Sequence, residues 1–89
     1  MTENLETQRR KLAWRASRRG IREMDLLIGG FAMAELPRMD RAQLAAFERL
    51  LDIPDQQMLA WAMGQEPVPP HEDSELLRAV LAFRPGVAG

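Results

Sequence analysis

Apolar residues recur along this chain at helical rather than strand spacing. Over residues 4–17 they fall at Leu5, Leu12, Ala13 and Ala16, on one helical face. Over residues 19–35 they fall at Met24, Leu27, Ile28 and Phe31, an i, i+3, i+4, i+7 pattern. Leu36-Pro37 closes that segment, because proline disfavours the α conformation in the residue before it. Asp40 is suited to cap a third helix, with Gln43 three residues on to complete a capping box and Leu44, Phe47, Leu50 and Leu51 as a narrow apolar stripe. A fourth opens at "DIPDQQ", with Asp52 as the expected cap and Pro54 in the first turn. Its expected inward face is Met58, Leu59, Ala62 and Met63, and Gly64 terminates it. "QEPVPPHE" reads as a stiff linker. A fifth helix is expected over residues 72–83, with Glu72, Asp73 and Glu75 on the positive end of its dipole and Leu76, Leu77, Val80, Leu81 and Phe83 as its apolar side. Period-two alternation is not sustained anywhere, so the expected fold is all-α: a small antiparallel bundle of five short helices. Residues 1–89 make one domain with its core over about 4–84, and 85–89 are expected to be a flexible tail.

The remaining features narrow the function. Eighty-nine residues make one domain of modest stability. The chain has no cysteine, which removes disulfides and thiolate chemistry and suits a reducing compartment. The longest apolar run is nine residues, 26–34, short of the roughly 20 a membrane-spanning helix needs. The opening "MTENLETQRRK" places acids before bases and has no apolar core segment, so no secretory signal is expected and the localisation reads as cytoplasmic. The net charge of −1 conceals +3 over residues 1–25 and −4 over the rest, a polarity that orients a charged partner. The balance is too acidic for a dedicated nucleic-acid binder. His71 is the sole histidine and the carboxylates form no ligand pattern, so no metal site is expected. Ser17 and Ser74 read as helix-end residues, and no phosphate-binding glycine loop is present. Together these features disfavour an enzyme.

The concentrated chemistry lies in "WRASRRGIREMD". On a helix, Arg19, Arg22 and Glu23 sit at i, i+3 and i+4 and share a face, with Gly20 opening a gap beside them for another backbone to approach. A plainer reading stays open: an Arg19–Glu23 ion pair, with Gly20 marking the turn between the first two helices. Trp14 is expected half-buried and Trp61 in the core. Gly29-Gly30 implies either a close helix–helix contact or an early helix end.

"RRGIREMD" resembles the Arg-Gly-x-x-Glu signature of the SdhE family, carried by Arg19, Gly20 and Glu23, with Arg18 and Asp25 flanking. "FERLLDIPDQQMLAWAMG" is similar to a second family block through Phe47, Arg49, Leu50, Leu51, Asp55 and Trp61, with the block's next leucine split between Met58 and Leu59. The resemblance covers about residues 9–83. It implies a five-helix assembly factor, not an enzyme, that docks on the flavoprotein subunit of succinate dehydrogenase and promotes covalent FAD attachment to a histidine of that partner. The flavoprotein of fumarate reductase is a further candidate. By this resemblance Arg19, Gly20 and Glu23 form the centre of the interface, with Arg15, Arg18, Arg22 and Asp25 around it. FAD is then the partner's and no intrinsic cofactor is expected; nor is nucleic-acid binding or membrane insertion, and the expected state is a monomer. The alternative is an antitoxin-like or nucleic-acid-binding helical regulator, weakened by Glu23 and Asp25 among the bases, which would face phosphates.

Overall fold

The computed structural model describes residues 4–84; the expected tail over 85–89 lies outside them. Five α-helices follow one another: α1 (Leu5–Ala16), α2 (Arg22–Glu35), α3 (Arg41–Leu50), α4 (Asp55–Ala62) and α5 (Glu75–Ala82). A single 3₁₀ turn, Leu36–Arg38, carries Pro37 between α2 and α3. Among the described residues there is no strand.

The caps explain most boundaries. Asn4 Oδ1 accepts from the Thr7 N–H at 2.8 Å and starts α1, and Ser17 ends it, its hydroxyl donating to the Ala13 carbonyl at 2.8 Å. Asp40 and Gln43 form the expected capping box of α3, at 2.8 and 2.9 Å. Three starts differ from the sequence reading. Helix α2 begins at Arg22, not Arg19, because Gly20 takes φ +95° and Ile21 is extended, so neither can continue a helix. Asp52 does not cap α4. The turn after α3 runs on through Ile53, so Pro54 is the N-cap residue and its carbonyl accepts from the Gln57 and Met58 amides. Helix α5 begins at Glu75, because the Ser74 hydroxyl accepts from the Leu77 N–H at 3.0 Å. Glu72 and Asp73 therefore precede the helix. Asp73 is held by Arg78 through two hydrogen bonds of 2.9 and 2.8 Å, which draw its carboxyl below the ordinary carboxylate range.

The core lies between all five helices, and among the described residues no polar or charged side chain is buried in it. Phe31 on α2 stacks on Phe47 of α3 at 6.0 Å and takes the edge of Phe83 at the same distance. The glycine pair serves close approach. A side chain at Gly29 would meet the backbone and hydroxyl of Ser17, and one at Gly30 would strike the Phe83 ring. Trp61 is buried as expected. Met63 is not: it follows α4 as its C-cap residue and is 64% exposed, and the inward places on this helix belong to Met58 and Trp61.

The two methionines that spacing alone pairs on one face should separate in a urea titration. Met58→Ala is expected to lower the unfolding free energy by about 2–5 kcal/mol, and Met63→Ala to change it by no more than about 0.5 kcal/mol. Equal losses would contradict the placement of α4.

Candidate functional site

The α1–α2 corner is built around a single arginine. Arg19 lies in the loop between the helices, not on a helix, so the shared face with Arg22 and Glu23 is not formed. Nor is the Arg19–Glu23 ion pair of the plainer reading. The Arg19 side chain turns inward and is 11% exposed. Its Nε donates to Asp55 Oδ1 at 2.7 Å, Nη1 to the Leu51 carbonyl at 2.8 Å and Nη2 to the Ile53 carbonyl at 3.1 Å. Its backbone N–H donates to Asp25 Oδ1. The loop is thus tied by its main chain to α2 and by its side chain to the α3–α4 turn.

The electrostatics favour this arrangement from both ends. Leu51 is the C-cap residue of α3, where carbonyls lack helical partners and the dipole attracts a cation. Asp55 is the first residue of α4, where the dipole attracts an anion. A planar guanidinium reaches two carbonyls and a carboxylate together, which an ammonium cannot do in one geometry.

The other sequence-predicted residues divide into engaged and open. Arg15 reaches Asp52 at 3.4 Å and Glu48 at 3.9 Å. Asp25 accepts from the loop amide as described. Arg18 lies 4.7 Å over the ring of Trp14. Trp14 is 59% exposed, a departure from the half-buried packing expected of it, because its position on α1 lies outside the core face formed by Leu12 and Ala16. Gly20 is exposed, with no atom within 4 Å of where a side chain would stand. The Arg22 and Glu23 side chains are exposed and make no hydrogen bond or ion pair with other described residues. The corner therefore presents Gly20, Arg22, Glu23 and the Trp14–Arg18 stack outward, on a loop fixed from beneath.

Asp55 was legible only as part of the second sequence block. Its pairing with Arg19, 36 residues away, has no signature in spacing, and the Leu51 and Ile53 carbonyls carry no sequence signal at all. A broad groove lies elsewhere. It runs between α3, α4, the proline-rich linker and α5, where Arg49, Pro54, Trp61, Pro69 and His71 line it, and it includes none of the seven corner residues. Among the described residues no three His, Asp or Glu side chains come together to hold a metal ion, and no helix is long and apolar enough to cross a membrane.

Comparison with known proteins gives these features a context. A family model described as "Flavinator of succinate dehydrogenase" matches residues 10–84. The chain is 37% identical over 79 residues to the FAD assembly factor SdhE of Acetobacter pasteurianus, covering 89% of the chain and 72% of that protein. It is 38% identical over 77 residues to the FAD assembly factor SdhE of Legionella pneumophila, covering 86% of the chain and 91% of that protein. It is also 33% identical over 76 residues to the mitochondrial succinate dehydrogenase assembly factor 2 of Dictyostelium discoideum, of which it spans 54%. The chain belongs to the family of flavinators of succinate dehydrogenase. The Arg19–Asp55 ion pair joins the two sequence blocks that carry the resemblance.

Removing the Arg19 side chain leaves Asp55 and two carbonyls without its donors, so Arg19→Ala should cost about 3 kcal/mol. Arg18→Ala, at an exposed stack, should cost at most about 1 kcal/mol. Equal urea midpoints for the two variants would contradict the inward clamp.

Proposed function

We propose that this protein is an assembly factor that docks on the flavoprotein subunit of succinate dehydrogenase and promotes covalent attachment of FAD to it. Family membership supports the reading, as do the names its relatives carry. The single observation that carries the docking site is the open corner: Gly20 stands clear of all neighbours beside Arg22 and Glu23, two charged side chains with no partner among the described residues.

The interface in this reading is centred on Arg19, Gly20 and Glu23, with Arg15, Arg18, Arg22 and Asp25 around it. The roles differ with the geometry. Glu23 and Arg22 are available to pair with oppositely charged groups of the partner. Gly20 lets the partner's backbone approach, and the Trp14–Arg18 stack offers a wide, half-apolar contact at the rim. Arg19, Asp25 and Arg15 hold the surface from behind.

The protein contributes no catalytic residue in this reading. The bond forms between FAD and a histidine of the flavoprotein, and the assembly factor holds the partner's domains where those groups meet. Holding reactants at productive distance can remove several kcal/mol of barrier without new chemistry. FAD belongs to the partner, and the factor acts as a monomer in the cytoplasm. The flavoprotein of fumarate reductase is a second client of the same surface.

Glu23→Arg tests the reading without disturbing the core, since Glu23 is exposed and has no partner among the described residues. Exchanging an acid for a base in the first turn of α2 should cost about 1 kcal/mol of stability. The covalent flavin on the succinate dehydrogenase flavoprotein, read by in-gel fluorescence, should fall to the level of a strain lacking the factor. Undiminished fluorescence with a folded variant would defeat the docking site.

A further inference from the structure

The loop that bears Gly20 has little packing to give it shape. Beyond its chain neighbours no atom lies within 4 Å of the Gly20 side-chain direction, Arg18 is exposed, and φ at Gly20 is +95°, a region glycine enters about as readily as negative φ, so the residue does not by itself hold the loop in one shape. Its one hydrophobic side chain, Ile21, packs against the core. Two carboxylates, with the Leu51 and Ile53 carbonyls, restrain it through Arg19. Asp25 takes the Arg19 amide and Asp55 takes the Arg19 Nε at 2.7 Å. Asp55 lies on α4 and is only 18% exposed.

We propose that Asp55 is a positioning residue for docking: by holding the Arg19 guanidinium against the α3–α4 turn, it fixes the Arg19-Gly20 backbone in the shape the flavoprotein subunit meets. Asp55 touches no partner group itself. It acts through Arg19, three of whose five N–H donors are taken by Asp55, Leu51 and Ile53, so the inward-turned guanidinium is not the first contact a partner finds. Without the carboxylate, Arg19 keeps only two neutral acceptors for a cation that is 11% exposed, and the side chain gains by moving out to water, taking the loop with it. This rests on the docking reading above and adds to it a residue outside the docking surface.

The protein carries its own control. Arg9 on α1 makes a comparable clamp elsewhere, its Nε donating to the Leu36 carbonyl at 2.9 Å and its Nη2 to the Met39 carbonyl at 2.7 Å. Loss of that clamp costs stability without touching the loop.

The experiment measures the affinity of the full chain for the purified FAD-loaded flavoprotein subunit, at a temperature where each variant is folded by circular dichroism. Amide hydrogen exchange at Arg19, whose N–H donates to Asp25, is followed in parallel. Asp55→Ala is expected to weaken binding about tenfold and to speed exchange at that amide. Asp55→Glu, which keeps a carboxylate within reach, should recover most of the affinity, and Arg9→Gln should bind like the native chain despite a lowered melting temperature. Native affinity in folded Asp55→Ala overturns the positioning role and leaves the docking reading intact. So does an equal loss of affinity in Arg9→Gln, which makes the effect one of general stability. A native chain that does not bind the flavoprotein subunit overturns the docking reading, and this inference with it.

Discussion

One buried-facing arginine organises the α1–α2 corner of this protein. Arg19 leaves the solvent to place its guanidinium between the C-terminus of α3 and the N-terminus of α4, where the carbonyls of Leu51 and Ile53 and the carboxylate of Asp55 receive it. Desolvating a charge is costly, and an ion pair of this kind adds little net stability compared with apolar packing. What it provides is a defined geometry. Three acceptors at fixed angles suit a planar fork and leave it one arrangement. The backbone that carries Arg19 is thereby held open at the surface, where an apolar side chain would have drawn it into the core.

The consequence is a division of labour among residues that look alike in sequence. The N-terminal quarter of the chain is rich in arginines, and its excess of positive charge suggests a cationic ledge. The structure spends much of that charge internally: Arg9 on the carbonyls beside the 3₁₀ turn, Arg15 on Asp52 and Glu48, Arg19 on the α3–α4 turn. Arg22 and Arg18 remain outward, beside Glu23, which has no partner among the described residues. The surface that results is smaller and less basic than the composition implies, and both signs of charge flank one bare glycine.

The helices were legible because the apolar stripes are strong and the caps are local. Asn4, Asp40, Ser17 and Ser74 act within four residues of themselves, so their roles can be read from adjacent letters. The start of α2 was misread because helical spacing runs smoothly through Arg19, Arg22 and Glu23, and spacing does not register that Gly20 adopts a positive φ. Met63 was misplaced because periodicity cannot tell the last turn of a short helix from its exposed end. The Arg19–Asp55 pair was out of reach because it depends on where α4 lies against the α1–α2 corner, a long-range outcome of core packing. The resemblance carried by Arg19, Gly20 and Glu23 pointed to this corner, while the direction in which Arg19 points came only from the structure.

The central claim is that Arg19 faces inward to shape a surface that its neighbours present. A crystal structure of this chain bound to the succinate dehydrogenase flavoprotein subunit tests it most directly. The account predicts that Gly20, Arg22 and Glu23 are covered by the partner while the Arg19 guanidinium stays on Asp55 and the Leu51 and Ile53 carbonyls. An Arg19 swung out onto the partner, or a complex that leaves this corner in solvent, would contradict it.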